Sequence, residues 1–513
     1  MDGHAEKNLS ASPDEKIIIQ EFRTEKDGEP EHIEIVANSV AIPEYTDKEA
    51  RRIMWKVDLR LIPMLAWFYL LAFLDRGNIG NAKVAGMQKD LHLSGGQYNL
   101  AITLFFIPYA LLEVPCNIVA KTIPPNVWLA IMMFAWGICM TLMGIVQNFA
   151  GLSCARWFLG VCEAGFFPCA AFLLTLFYKR YELLSRLAVF YSCSSLSGAF
   201  SGLLAFGLEK MEGVGGLAGW RWIFIIEGFL PILTAVAAFF IVPNSPETCK
   251  FLTQEERDFI IYRLQVETGS GRGRVTNNDK LTVSHILAAL REWRTWAAVI
   301  MFWGCSVGVY AFTFTIPVVI LELGFTAAVA QLMTIPIYVV TCGFIIFWAW
   351  LSDRYQVRSY FMAGGFILAE IGLIALLVIP HPKLPSLTYF FLFPTAMGLY
   401  CNQQLVLAWT ANNAAPSSKR AIAMALLISI GNLSGIIGSN IFVQNEAPRY
   451  WAGFGTCLTC VVAAQLMSFF LRWSYDKVNK EREKMSVEEV RAKYTEVELL
   501  EMGDKSPFFR YTL

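Results

Sequence analysis

Long apolar blocks separated by short polar gaps run through most of this chain. A helix needs about 20 mostly apolar residues to cross the hydrocarbon of a bilayer. Blocks of that length fall near 62–83, 98–120, 127–147, 151–177, 186–208 and 220–242. A charged stretch from about Pro243 to Trp293, containing "SPETCKFLTQEERDFIIYRL" and "GSGRGRVTNNDK", interrupts them. Six more blocks follow near 295–320, 327–351, 359–379, 386–409, 420–442 and 451–473. The pattern predicts an all-α polytopic membrane protein with twelve transmembrane helices in two six-helix halves. The expected divisions are a disordered cytosolic N-terminal tail (1–55), an N-terminal half (56–242), a cytosolic central loop (243–293), a C-terminal half (294–473) and a charged, partly helical cytosolic tail (474–513).

Composition supports this reading. Of 513 residues, 55% are hydrophobic and only 16% charged, with a mean hydropathy of +0.46. Soluble domains carry roughly 25% charged residues. Net charge is zero, so nucleic-acid binding has no electrostatic support. The histidines (His4, His32, His92, His285, His381) all lie outside the cores of the apolar blocks, which leaves no clustered ligands for a membrane metalloenzyme. Neither a metal nor a cofactor is expected. The cysteines sit mostly singly in apolar blocks; "CLTC" at 457–460 follows no strand and reads as small buried hydrophobes. Asn8-Leu9-Ser10 matches a glycosylation acceptor, which a cytosolic tail would never use.

Charge in the short loops sets the expected orientation. One side carries Lys121, Lys179, Arg180, Arg186, Arg354, Arg358, Lys419 and Arg420; the other carries Lys83, Lys89, Lys210, Lys383 and Arg449. The bias, eight against five, puts the central loop and both termini in the cytosol.

Two of the apolar blocks, the first and the fourth, each carry an acid and an arginine towards mid-depth. "FLDRGNIGNA" places Asp75 and Arg76 in the first span, about 18 Å from Pro63 at 1.5 Å per residue. That is near the middle of a roughly 30 Å core. In the fourth span, "GLSCARWFLGVCEAGFFPCAAF", Glu163 reaches a similar depth and shares a helix face with Arg156. A fixed brace between helices is the plain explanation. Buried ion pairs seldom gain much net stability, so four buried groups make an expensive brace. Intramembrane acids more often mark proton pathways. Low dielectric favours the neutral form of a carboxyl group, which lets it load and unload a proton. An arginine stays charged and holds carboxylates in a bidentate fork. An acid and an arginine together can therefore couple a proton to an organic anion.

The overall plan resembles that of the major facilitator superfamily, two six-helix halves joined by a loop. "AWLSDRYQVR" between the eighth and ninth spans resembles that superfamily's loop signature through Asp353, Arg354 and Arg358, whereas the matching loop of the first half, "NIVAKTIPPNVW", lacks the aspartate. "FLDRGNIGNA", "ARWFLGVCEAGFFPCA" and "WRWIFIIEG" look closest to the anion:cation symporter branch, specifically to fungal allantoate, nicotinate and pantothenate permeases. The resemblance implies that Asp75 and Glu163 couple protons and that Arg76 and Arg156 bind the carboxylate of a small organic anion.

Other polar positions are less decided. Tyr109 could donate its hydroxyl to a bound carboxylate or simply pack. Glu113, two turns from the end of the second span, is expected to hold a helix or loop; Glu227 stands in the resembling motif "WRWIFIIEG" but reads at least as well as a structural partner, and Glu370 is expected to be structural. The second half is rich in amides, and Asn402, Gln403 and Asn432 are the expected readers of the substrate's neutral groups. The expected function is a proton-coupled symporter importing a vitamin carboxylate or allantoate. It would be a monomer in the plasma membrane, or alternatively in the vacuolar one, and not an enzyme. Export of an acidic metabolite is the rival; a non-transporting nutrient receptor is a weaker one.

Overall fold

The computed structural model describes residues 18–21, 35–38, 45–120, 122–268, 290–355, 357–380, 382–415, 417–495, 498–499 and 502–513. Lys121, His4, His32, His285, His381 and Asn8 lie outside the described residues, as does most of the tail expected to be disordered. Within that tail two four-residue strands, β1 (Ile18–Glu21) and β2 (Ile35–Asn38), pair antiparallel. Each carries adjacent β-branched residues, Ile18-Ile19 and Ile35-Val36, which suit a pleated backbone.

The other regular elements are helices. The N-terminal half contains α1 (Asp47–Val84), α2 (Gly95–Ala120), α3 (Pro125–Met143), α4 (Phe149–Glu163), α5 (Phe166–Thr175), α6 (Arg180–Glu209) and α7 (Gly219–Ile241). A shorter α8 (Gln254–Thr268) lies in the central loop. The C-terminal half contains α9 (Trp293–Glu322), α10 (Ala327–Tyr355), α11 (Arg358–Val378), α12 (Pro385–Asn413), α13 (Ser417–Asn432), α14 (Ser434–Asn440) and α15 (Trp451–Glu483), with α16 (Val487–Lys493) after it. Taking α4–α5 and α13–α14 each as one broken span gives twelve crossings. Nine of these, among the described residues, are long and apolar enough to cross a bilayer on composition alone. Phe240, Leu466 and Val378, like many other large apolar side chains, are exposed on the outside of the bundle. In water such a surface would be an aggregation liability; in lipid it is the solvated face.

Both breaks have a chemical cause or repair. Pro168 has no N–H for the carbonyl four residues back, at Ala164, and its ring crowds that carbonyl, so the helix parts there. The Trp128 indole then donates to Gly165 O at 2.9 Å. At the second break the Trp303 indole donates to Ile430 O at 2.7 Å. At each break a backbone carbonyl thus takes a side-chain donor within the protein, where the membrane offers no water. Glu163 and Asn432 are the last residues before the two breaks.

The two halves pack closely at the helix ends remote from the termini. A Cβ on Gly80 of α1 would come 2.9 Å from Phe314 O of α9, and one on Gly202 of α6 would come 2.6 Å from Gln331 O of α10. A side chain at either point would hold the halves apart. Gly202→Leu is expected to leave this end open, seen as lost cross-linking between cysteines placed at 209 and 331 in a cysteine-free background.

The opposite end is braced by loop and tail. Under the N-terminal half, Glu256 of α8 accepts from Lys56 at 2.7 Å and Arg263 pairs with Glu182. Under the C-terminal half, α15 continues past the expected boundary at 473 to Glu483, and the chain then folds back. Asn413 binds the Thr512 backbone from both ends of its amide, at 2.7 and 3.1 Å, and the Trp409 indole donates to Thr512 O at 2.8 Å. Tyr511 stacks on Tyr475 at 4.6 Å. Lys419 reaches Asp504 at 2.7 Å and Glu292 at 3.3 Å. Burial pushes the Asp504 carboxyl above the usual carboxylate range, and the attraction of Lys419 only partly offsets it. With the docked value above the released one, this group's contribution to docking is complete below the released value and is lost as pH rises through the docked value. A spin label at Phe508 is therefore expected to be more mobile at pH 8 than at pH 5, and Asp504→Asn should remove the difference.

Candidate functional site

Consecutive residues on a helix point about 100° apart, so Asp75 and Arg76 of α1 face different neighbours. Arg76 faces the seam between the halves and Asp75 faces the interior of the N-terminal half.

Arg76 is 6% exposed. Its Nε and Nη2 donate to Glu163 Oε1 of α4 at 2.8 and 2.6 Å. Its Nη1 donates to the Tyr310 hydroxyl of α9 at 3.1 Å. The guanidinium also lies 4.8 Å from the ring centroids of Phe73 and Tyr109 and 5.4 Å from that of Phe105. Aromatic faces attract a desolvated cation, so this cage holds Arg76 charged and oriented. Tyr109 takes part through its ring face.

The chain of bonds continues into the C-terminal half. Tyr310 donates to Asn432 Oδ1 at 2.7 Å, and Asn432 Nδ2 donates to Glu113 Oε2 at 3.3 Å. Glu163, Arg76, Tyr310, Asn432 and Glu113 thus form one network that crosses from one half to the other and back. Two expectations change here. Glu113 is 4% exposed and belongs to this network rather than bracing a helix end. Tyr310 is its bridge, and within "VGVYAFTF" nothing in the sequence marks it out from a packing residue.

Asp75 lies within electrostatic reach of Arg156, Glu163, Glu227 and Arg76. Glu227 of α7 accepts from Asn78 Nδ2, one turn along from Asp75. Arg156 is 2% exposed, yet its Nε and Nη2 have no hydrogen-bond partner among the described residues. Those two nitrogens form one edge of the guanidinium, the edge that takes a carboxylate side-on. Asp75 Oδ2 and Glu163 Oε2 are likewise buried without a partner among the described residues. The site therefore holds one closed arginine fork, at Arg76, and one open fork, at Arg156.

The amides of α12 divide. Gln403 Nε2 donates to Ser306 Oγ of α9 at 3.1 Å. Asn402 turns away: it lies against Gly365 of α11, a helix packed only within the C-terminal half among the main helix contacts, and neither of its amide atoms has a partner among the described residues. Asn402 thus lies apart from the Arg76 network, whereas Gln403 bonds to the helix that carries Tyr310. One residue of helical rotation separates the two outcomes. Glu370 also lies away from the seam, beside Gln465 of α15.

In the loop signature, Arg358 pairs with Asp353 at 2.9 Å, and Arg354 lies 5.5 Å from the Trp350 ring centroid. Asp353 is 57% exposed, so this is a solvated ion pair of small energetic weight. Among the described residues no group of three His, Cys, Asp or Glu side chains could hold a metal ion.

Comparison with known proteins places this architecture. The family model described as Major Facilitator Superfamily matches residues 65–439. The chain is 36% identical over 479 residues to the MFS-type transporter cnsO of Penicillium expansum, covering 91% of this chain and 92% of that protein. It is 33% identical over 482 residues to the major facilitator-type transporter hxnP of Emericella nidulans, covering 91% and 94%. Among solved structures, a bacterial homologue of the human lysosomal transporter Spinster, crystallised in an inward-facing, unoccupied conformation, matches with a TM-score of 0.60. That match covers 80% of this chain and 94% of the other at 16% identity, a likeness of fold alone.

Proposed function

The chain belongs to the major facilitator superfamily, is a multi-pass membrane transporter of that type, and from this premise we propose that it is a proton-coupled symporter importing a small organic anion. The observation that carries the proposal is the charge balance of the buried site. Four carboxyl groups, Asp75, Glu113, Glu163 and Glu227, share it with two guanidinium groups, Arg76 and Arg156. Two arginines offset two carboxylates. The remaining two would be bare charges in low dielectric, costing several kcal/mol each, unless protons neutralise them. A site with this excess of acid has reason to load protons. Its open fork at Arg156 has the shape of a carboxylate partner.

The mechanism follows from competition for the arginines. With Glu163 ionised, Arg76 is taken by its fork. A proton on Glu163 cancels that charge and releases Arg76, which then faces the seam with its cation free. A substrate carboxylate takes the vacated place, while Tyr310 and Asn432 carry the change into the C-terminal half. Asp75 exchanges its proton against the open edge of Arg156. Proton and anion thus enter the site together, and neither is favoured there alone. The halves rock about the site, and both are released on the side of the termini, read as the cytosol from the loop charges. The loop pair Asp353–Arg358 serves as a latch on that side. The resemblance of "FLDRGNIGNA" and "ARWFLGVCEAGFFPCA" to the anion:cation symporter branch supports a vitamin or ureide carboxylate as cargo and the plasma membrane as the location.

The test is uptake of labelled nicotinate, pantothenate and allantoate by cells carrying the protein at their surface. Uptake of one acid, greater at pH 5 than at pH 7 and abolished by a protonophore, supports the proposal. Proton-driven efflux from preloaded cells without uptake would replace import by export. Tyr310→Phe removes the hydroxyl that links Arg76 to Asn432 and leaves both ends short of a partner. It is expected to raise the KM for the transported acid about tenfold, the weight of one buried hydrogen bond to a charged group, with little change in surface abundance.

A further inference from the structure

Beside the Arg76 site lies a second polar cavity on the seam, between α1, α6, α9, α10 and α12. Phe73 joins the two: its ring is 4.8 Å from the Arg76 guanidinium and also lines the cavity. The free volume is about 20 Å3, enough for one water-sized group. No charged side chain lines it.

The direction of its hydrogen bonds gives the cavity a chemical sign. Ser197 Oγ donates to Ser194 O at 2.7 Å and Ser201 Oγ donates to Asn78 Oδ1 at 3.1 Å. Thr313 Oγ1 donates to Val309 O at 2.8 Å, and Thr334 Oγ1 donates to Gln331 O at 2.7 Å. With the Thr313 hydrogen so committed, the Tyr400 hydroxyl donates to Thr313 Oγ1 at 3.0 Å. Asn81 Nδ2 donates to Ser201 Oγ at 2.6 Å. Each of these hydrogens is spent on the protein itself, whereas a hydroxyl oxygen keeps lone pairs to spare. Asn81, 3% exposed, completes the wall: its Oδ1 is buried without a partner among the described residues. Apart from the Ser194 and Tyr338 hydroxyls, which also line it, the cavity is therefore a wall of acceptors around one orphaned carbonyl oxygen.

We propose that this cavity is a specificity subsite that receives an N–H or O–H donor on the neutral part of the transported acid, so that the cargo is a carboxylate bearing hydroxyl, amide or ureido hydrogens rather than a bare aromatic or alkyl acid. The inference rests on the organic-anion reading of the Arg76 site. A donor entering the cavity satisfies Asn81 Oδ1; an acid without donors leaves that oxygen buried and bare. The small free volume admits the tip of a hydroxyl, amide or ureido group and not a ring.

The test compares two groups of acids as competitors and as labelled substrates in proteoliposomes holding the full chain. Pantothenate, allantoate and gluconate carry donors; nicotinate, benzoate and hexanoate do not. A donor-bearing acid is expected to be preferred at least roughly tenfold. In Asn81→Leu, and independently in Thr334→Val, the ratio of the two groups' half-saturation values should fall towards one. Reading a ratio keeps the result separate from any loss of folded protein. Equal or better transport of donor-free acids overturns the subsite and leaves the anion reading standing. Failure of all six acids to bind or move overturns both. Transport that collapses when sodium is replaced by N-methylglucamine would make the acceptor wall a cation site, which also overturns the proposal.

Discussion

Lysine in place of Arg76 is expected to abolish uptake, a loss of at least about 100-fold, with normal amounts of protein at the cell surface. The substitution keeps the positive charge, so the electrostatic balance of the buried site is preserved. It removes the planar fork, and a lysine ammonium is a compact point charge that cannot reproduce it. Arg76 makes two bonds to Glu163 and one to Tyr310 from three different nitrogens, and rests against the faces of Phe73 and Tyr109. Losing two of these charge-assisted hydrogen bonds, at about 1.5 to 3 kcal/mol each, accounts for the expected loss. A fold defect would show as reduced surface protein; a transport defect shows as normal surface protein without flux. Near-normal uptake by Arg76→Lys would mean that Arg76 is a brace.

Glutamine in place of Glu163 is expected to separate transport from its energy source. The amide has the shape of the carboxyl and is permanently neutral, so Arg76 is never captured and stays available to substrate. Exchange of labelled for unlabelled acid across the membrane should persist, because it needs the anion site and the rocking of the halves but no net proton movement. Accumulation against a gradient should vanish, and the rise in uptake between pH 7 and pH 5 should flatten. Measuring counterflow and accumulation in the same vesicles distinguishes this from simple inactivation, in which both fall together. If accumulation survives with its pH dependence intact, Glu163 is not a coupling acid.

Much of this was legible along the chain, and for a physical reason. A bilayer imposes a length of about 20 apolar residues on every crossing helix, so the twelve crossings stand out as blocks. The same ruler locates Asp75, Arg76 and Glu163 at mid-depth by counting residues from the start of each span. Pro168 in "EAGFFPCA" marks the break after Glu163 through its missing N–H. What counting cannot supply is rotation. Asn402 and Gln403 are neighbours in sequence, yet one lies against Gly365 and the other bonds to Ser306 across to α9. Residue depth without facing direction also hid Glu113 and Tyr310, whose roles exist only because α13 brings Asn432 between them. The tail was missed for a different cause. Asn413 and Trp409 read as polar and aromatic residues near the end of a span, and their partner, Thr512, is remote in sequence.

Charge balance is the centre of this account, and proton movement tests it most directly. Proteoliposomes holding the full chain and an internal pH indicator would receive each acid from outside, with empty vesicles and Arg76→Lys vesicles beside them to subtract passive entry of the undissociated acid. Internal acidification that follows one acid in the wild-type vesicles, exceeds both controls and is lost in Glu163→Gln is the result expected of a proton–anion symporter. Uptake of that acid with no acidification beyond the controls would contradict it.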